Sequence, residues 1–454
     1  MGTHRIKDAV FYHIYPLGLC GAPERNALEK PIMDRLTTLN PWLEHIQELG
    51  ANAIYLGPVF QSSSHGYDTV DYYQVDRRLG DNESLAQFAE LVHQRAMLLV
   101  LDAVFNHVGR DFWAFKDLQK NGQSSAYKDW FYKLRFDQHS PKGDPFSYEG
   151  WQGHYDLVKL NLSHPDVQAH LFDAVKIWID QFGIDGLRLD AADCIDLDFL
   201  RALNRFTKSL NPHFWLMGEV VHGDYRQWVN PETLDSVTNY EVYKGLYSSL
   251  NDANYFEIAY GLNRQYGDQG VYHDKFMYNF VDNHDVDRVA SKLTDTAHLF
   301  PLYLLLFTMP GIPSIYYGSE WGIKGVKGQW SDAPLRPELD LERMKHQPPN
   351  PDLARTIVKL SNLRQDHAAL KYGNYRQIFV DKEQFVFLRS LKNGEVLVAL
   401  NSGNEEIDLS LDLPWQTGRL RDVLNNNEVF TIENKRVNLK LSPSWGRILD
   451  YSNG

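Results

Sequence analysis

At 454 residues the chain is too long for one ordinary compact domain but suits one large α/β domain carrying a smaller one. Its composition is globular, with 43% hydrophobic and 23% charged residues. The net charge of −13 argues against a polyanionic partner, because nucleic-acid affinity needs clustered Lys and Arg, and it favours a neutral or cationic small substrate. The 13% aromatic content, with 11 Trp and 25 Tyr, suits carbohydrate, whose apolar ring faces pack on flat side chains; any single one of these residues reads at least as well as core. Cys20 and Cys194 are the only cysteines and show no CxxC spacing, so no disulfide framework or cysteine metal site is expected. The first apolar stretch is broken by Asp8, His13 and Pro16, unlike a secretory leader, and the best span candidate, 301–318, holds three prolines and two glycines. A cytoplasmic protein is expected.

In chain order, short β-rich runs alternate with amphipathic helical stretches up to about residue 370, the rhythm of parallel βα units, which predicts a (β/α)8 barrel. Its strands are expected at 11–15, 53–59, 98–104, 186–191, 214–220, 236–240, 277–282 and 314–318. Helical periodicity places Leu85, Phe88, Ala89 and Val92 on one face of 84–96, and Leu171, Val175, Trp178 and Ile179 on one face of 167–182. Ser163 is the expected N-cap of the second helix, with Pro165 in its first turn. A long polar stretch, 107–163, follows the third strand and reads as an inserted subdomain over the C-terminal face of the barrel, where active sites of this fold lie. Beyond residue 372 the pattern changes to short alternating strands at 384–391, 395–401, 406–411 and 436–441, a small antiparallel sandwich. The expected domains are thus a barrel of 1–106 and 164–371, an insert of 107–163 and a sandwich of 372–454.

Three carboxylates fall at the ends of separate predicted strands: Asp190 in Gly186-Leu-Arg-Leu-Asp190, Glu219 in Leu216-Met-Gly-Glu219, and Asp285 in Asn283-His-Asp285. A barrel gathers such ends at one mouth. Glycosidic cleavage needs a carboxylic acid to protonate the leaving oxygen and a carboxylate to attack or support the oxocarbenium-like centre. Arg188, two residues before Asp190 on one strand, shares its face and can keep it ionised.

With these residues in place the chain resembles the α-amylase family, retaining glycoside hydrolases with a (β/α)8 barrel, a subdomain inserted after the third strand and a C-terminal β-sandwich. Asp102-Ala-Val-Phe-Asn-His107 is similar to its D-x-V-x-N-H segment, Gly186–Asp190 to its G-x-R-x-D segment, Gly218-Glu219 to its acid/base segment and Phe280-Val-Asp-Asn-His-Asp285 to its F-x-x-N-H-D segment. His65-Gly-Tyr67-Asp68 and the run from Gly311 to Glu320 also match. The resemblance implies that Asp190 is the nucleophile, Glu219 the acid/base and Asp285 the transition-state stabiliser. It further implies that Tyr67 stacks on the sugar at the cut, that His107 and His284 bond its hydroxyls, that Arg188 orients Asp190, and that Asp332 and Arg336 grip the next glucose. The implied partner is an α-glucan oligosaccharide cleaved at α-1,4 bonds, without a cofactor.

The sequence also departs from the family pattern. Asp193-Cys194 stands where many amylases have Lys-His contacting the leaving-group side. Lys159 in Leu157-Val-Lys-Leu-Asn161 replaces an aspartate that helps bind calcium; Asn106 alone does not make a site wanting six to eight oxygens, so no conserved calcium is expected. The lysine form resembles the neopullulanase and cyclomaltodextrinase branch, but the chain begins at the first barrel strand, without that branch's N-terminal domain, so linear maltodextrins handled as a monomer or in another assembly are expected. The alternatives are a 4-α-glucanotransferase, a hydrolase of another α-glucoside, and a noncatalytic glucan-binding relative.

Overall fold

The computed structural model describes residues 6–329 and 331–453; residues 1–5, read above as part of the barrel and as lacking a leader, lie outside the described residues, as do 330 and 454. Eight parallel strands form one sheet: β1 (Phe11–Ile14), β2 (Ala53–Leu56), β3 (Leu98–Ala103), β4 (Gly186–Leu189), β5 (Trp215–Gly218), β6 (Ser236–Val237), β7 (Tyr278–Asn279) and β8 (Ile312–Tyr316). Their order is β6-β5-β4-β3-β2-β1-β8-β7, and a parallel bridge between Thr238 and Tyr278 joins the two edges, with Asn239 donating to the Tyr278 carbonyl at 2.9 Å. The sheet is therefore a (β/α)8 barrel.

Strands buried on both faces explain the two separate cores. Inside the barrel Phe11, Tyr55, Val100, Trp215, Met217 and Tyr278 interdigitate, with Phe11 stacked on Trp215 at 5.4 Å. Outside, the opposite strand faces pack against the helical shell, where Trp178 of Pro165–Phe182 stacks on Phe60 at 4.1 Å and donates Nε1 to the Tyr72 carbonyl at 2.9 Å. The expected apolar face of the earlier helix, observed at Asn82–Gln94, is buried through Leu85, Phe88, Ala89 and Val92.

Most strands end earlier at their C-terminal ends than expected, because the chain beyond each turns out of the sheet to present side chains at the mouth; β8 instead starts and ends two residues sooner than 314–318. The N-cap expectation is corrected. His164, not Ser163, caps Pro165–Phe182, its Nδ1 accepting from Asp166 N at 3.2 Å, while the Ser163 hydroxyl donates to Asn161 Oδ1 at 2.7 Å. The excursion after β3 folds around a small antiparallel sheet of His107–Gly109, Gly150–Trp151 and His154–Lys159 and a helix, Trp113–Asn121, packed on aromatic side chains.

The C-terminal part is one eight-stranded antiparallel sheet: β9 (Asn374–Val380), β10 (Gln384–Leu391), β11 (Gly394–Asn401), β12 (Ile407–Asp412), β13 (Thr417–Asp422), β14 (Val429–Glu433), β15 (Arg436–Leu441) and β16 (Trp445–Ser452), in the order β9-β10-β11-β16-β13-β14-β15-β12. It folds on itself around Val386, Leu397, Leu420, Leu439 and Leu449, while its other inner residues join the barrel's outer core. Among the described residues no helix is long and apolar enough to cross a membrane.

Trp178 joins the helical shell to the segment after β2, so Trp178→Ala should cost about 3–5 kcal/mol of stability through the cavity it leaves. Equilibrium urea unfolding reads this directly, and a loss below about 1 kcal/mol would contradict the packing role given to it.

Candidate active site

Adjacent strands set opposite charges side by side at the barrel mouth. Asp102 on β3 and Arg188 on β4 are register partners, and Arg188 Nη1 bonds both Asp102 oxygens at 2.9 and 3.0 Å. The same guanidinium donates to Asp190 Oδ1 through Nη1 at 3.0 Å, and its Nη2 forms an ion pair with Glu219 Oε2 at 2.9 Å. One buried cation thus faces three carboxylates from three successive strands. Asp102 and Glu219 outweigh the burial that would lower the Arg188 pKa and hold it well above its ordinary value.

Backbone geometry completes the arrangement. Ala191, next to Asp190, takes a left-handed conformation at φ 45°, which costs an alanine on the order of 1 kcal/mol, and its N–H donates to Glu219 Oε2 at 3.1 Å. The turn therefore binds the one Glu219 oxygen that Arg188 also bonds, and its other oxygen takes neither bond. Burial pushes Glu219 above the usual carboxylate range; Arg188 opposes this and Asp285 adds to it. Asp190 is raised by burial as well, against Arg188, with Glu219 contributing. With one guanidinium among them, this buried cluster favours keeping a proton rather than losing both.

Asp285 behaves oppositely. Burial would raise it, but His284 Nε2 at 2.9 Å from Oδ2 and Arg336 Nη2 at 3.0 Å from Oδ1 hold its carboxyl well below the usual range. Arg336 also bonds the His284 carbonyl at 3.0 Å and Asp332 at 3.1 Å, and its guanidinium lies 4.6 Å from the Tyr15 ring centroid.

The aromatic residues form a platform. Tyr67 stacks on His284 at 5.3 Å, Tyr15 stacks on His284 at 6.1 Å, and the Tyr67 hydroxyl donates to Asp102 Oδ2 at 3.0 Å within reach of His284 Nε2. His107 is buried, which drives its pKa down to about 3 and leaves it neutral. Asn106 Nδ2 lies 3.1 Å from its Nδ1, an arrangement that makes Nδ1 the acceptor and leaves the proton on Nε2, which has no hydrogen-bond partner and faces Asp190 Oδ2 at 3.8 Å.

All nine residues singled out in the sequence, Tyr67, His107, Arg188, Asp190, Glu219, His284, Asp285, Asp332 and Arg336, thus converge on one mouth. Sequence reasoning missed Tyr15 and Tyr55, whose hydroxyl donates to Asp102 Oδ2 at 2.8 Å, and Trp151 of the insert, 5.7 Å from the His107 ring. Tyr15 ends the first expected strand and could have been found there, and Tyr55 lies within the second; Trp151 comes from an irregular segment with no positional signal. The residues do not fit the calcium ion held by some similar enzymes: Asn106 Oδ1 is buried without a partner, but Lys159 brings an ammonium group, paired with Glu149 at 3.3 Å, where a carboxylate would be needed. Chelation with EDTA should accordingly leave both activity and melting temperature unchanged; a calcium-reversible loss of either would overturn this.

Comparison with known proteins agrees with this geometry. The alpha amylase catalytic-domain family matches residues 36–368, and the maltogenic amylase C-terminal domain matches residues 375–447. The chain is 33% identical over 430 residues to a cyclomaltodextrinase of Bacillus sp, covering 87% of this chain and 73% of that protein. It is 34% identical over 431 residues to neopullulanase 2 of Thermoactinomyces vulgaris, covering 92% and 70%. Among solved structures, a cyclomaltodextrinase superposes with a TM-score of 0.85 at 30% identity, covering 98% of this chain and 78% of the other, and the native Nostoc punctiforme debranching enzyme with 0.82 at 30% identity, covering 99% and 100%. A mouth where three acidic side chains share one buried arginine, on a barrel matched over most of its length, makes this chain a glycoside hydrolase of the alpha-amylase family, in the branch of the cyclomaltodextrinases, neopullulanases and maltogenic amylases.

Proposed function

We propose that this enzyme, which acts on α-glucans, cleaves α-1,4 bonds of maltooligosaccharides and starch with retention of configuration, through a covalent glucosyl ester on Asp190. The observation that carries the proposal is the grip of one guanidinium on both Asp190 and Glu219. Carboxyl groups within 3.0 Å of the two terminal nitrogens of a single fork lie close together, the spacing of a nucleophile and an acid/base rather than of two groups separated by an attacking water.

The hydrogen-bond and ion-pair partners of the carboxylates support these roles. Glu219 holds a proton on the oxygen that Ala191 and Arg188 leave open and gives it to the glycosidic oxygen as the bond to the anomeric carbon breaks. Asp190 Oδ2, turned away from Arg188, attacks that carbon from the opposite face. Asp285, ionised by His284 and Arg336, accepts hydrogen bonds from the ring hydroxyls and offsets the positive charge developing on the sugar. Deprotonated Glu219 then takes a proton from water, and that water attacks the anomeric carbon and frees Asp190. Tyr67 stacks against the reacting ring, His107 Nε2–H and His284 bond its hydroxyls, and Asp332 with Arg336 holds the adjoining glucose. These roles rest on the family motifs together with the geometry of the mouth. On the acceptor side Asp193 and Cys194 stand in place of the Lys-His pair, and the half-buried Trp151 of the insert lies 5.7 Å from the His107 ring.

Glu219→Gln should lower kcat on maltoheptaose by roughly 10²–10⁴-fold while leaving the fold intact, and the first product should be the α-anomer by proton NMR. Intact turnover in the variant, or initial β-anomer, would sink the mechanism. Longer chains appearing early at high oligosaccharide concentration would identify a sugar rather than water as the main acceptor.

The sign of the pH dependence follows from the shifts. Glu219 must be protonated to act and its pKa is raised, so activity is lost as pH rises through that raised value. Asp285 is lowered and stays ionised across the range. The alkaline limb of kcat/KM should therefore lie above about 4.3, the ordinary glutamate value. A limb near that value would remove Glu219 as the acid.

A further inference from the structure

At the base of the barrel, on the side opposite the catalytic mouth, a cavity of about 200 Å³ lies where the residues just before β7 and β8 meet the start of β9. Two arginines are buried beside it, Arg364 0% and Arg389 1% exposed. Neither bonds a carboxylate among the described residues. Arg364 bonds the carbonyls of Phe307, Leu370 and Gly311, and Arg389 those of Thr308 and Gly373. These carbonyls belong to chain ends of two helices and the turns after them, so the guanidinium groups satisfy backbone that would otherwise be orphaned. Among the described residues neither guanidinium stands in an ion pair, although Asp8 acts on Arg364 from a distance, and burial lowers both, Arg389 to about 9 with Arg364 contributing.

Arg389 lines the cavity and uses three of its five N–H groups on Thr308 and Gly373. Two tyrosines line it as well, Tyr266 at 5% and Tyr375 at 2% exposure, and neither hydroxyl has a hydrogen-bond partner among the described residues. A buried hydroxyl without a partner carries an uncompensated desolvation cost, so two in one cavity beside an incompletely bonded guanidinium mark a place where polar atoms are expected from outside the chain. Charges around the mouth balance: Lys275 and Lys371 line it and Lys7 lies over the Phe276 ring, against Asp268 in the lining and Asp8 and Asp274, which pair with Lys371 and Lys275, so the unbalanced charge at the cavity is the buried guanidinium of Arg389.

We propose that this cavity binds a phosphate-type oxyanion, free or carried on a sugar, with the Tyr266 and Tyr375 hydroxyls and the remaining N–H groups of Arg389 as its donors. The uncharged hydroxyls can serve many polar ligands; the uncompensated guanidinium groups select an anion. The bound anion would tie the C-terminal sheet, through Tyr375 and Arg389, to the barrel, through Tyr266.

The test titrates the full chain with inorganic phosphate and, separately, with glucose 6-phosphate by calorimetry and thermal shift, against sodium chloride at matched ionic strength. Saturable binding and a rise in melting temperature are expected in the native chain, with binding weakened about tenfold or more in the Tyr266→Phe/Tyr375→Phe double variant. That variant loses only unpartnered hydroxyls, so without phosphate it should fold, turn over maltoheptaose at the native rate and melt at or above the native temperature. Preference for glucose 6-phosphate would place the anion on a sugar, and preference for inorganic phosphate would make it the free ion. An equal response to chloride, an equal response of the double variant, or no saturable heat with either probe would overturn the proposal.

Discussion

The catalytic mouth depends on Arg188. A fully buried guanidinium is tolerable only with counter-charges, and Asp102, Asp190 and Glu219 supply them from β3, β4 and β5. The dependence runs both ways. Three carboxylates confined without a cation would repel one another and recover neutrality by taking up protons, whereas with Arg188 between them the cluster is held to a narrow set of protonation states. Such a set suits chemistry that needs one carboxylate charged and its neighbour protonated.

The surrounding layer fixes geometry more than charge. Tyr55 and Tyr67 both bond Asp102, so the aspartate that anchors Arg188 is itself held from β2 and from the loop beyond it. His284 lies between the rings of Tyr15 and Tyr67 and pairs with Asp285, which couples the aromatic platform to the carboxylate most firmly kept ionised. The insert borders the site: His107 begins the small sheet and Trp151 ends its edge strand Gly150–Trp151, 5.7 Å from the His107 ring.

The barrel's opposite end solves a different problem with the same residue type. Where chain ends leave backbone carbonyls unpaired, Arg364 and Arg389 cap them, and this joins the last helices of the barrel to the first strands of the sheet. Arginine suits both ends because its planar fork serves several acceptors at once. At the mouth the acceptors are carboxylates and the charge is balanced; at the base they are carbonyls and it is not.

The barrel, the sheet and the nine residues of the mouth were legible in the linear sequence. Period-two strands alternating with period-3.6 helices are local signals, and the four family segments carry their chemistry within a few residues each. Strand ends and helix caps were less legible: the capping role passed from Ser163 to His164, and strands stopped short of the residues they were expected to include, because the final hydrogen bonds depend on what the neighbouring strand offers. Tertiary structure alone decided that one arginine serves three carboxylates, that Ala191 turns its N–H to Glu219, and that Tyr266, Tyr375 and Arg389 enclose one cavity. Tyr375 and Arg389 are register partners on β9 and β10, but Tyr266 lies more than a hundred residues earlier, and only the packing of barrel against sheet brings them together.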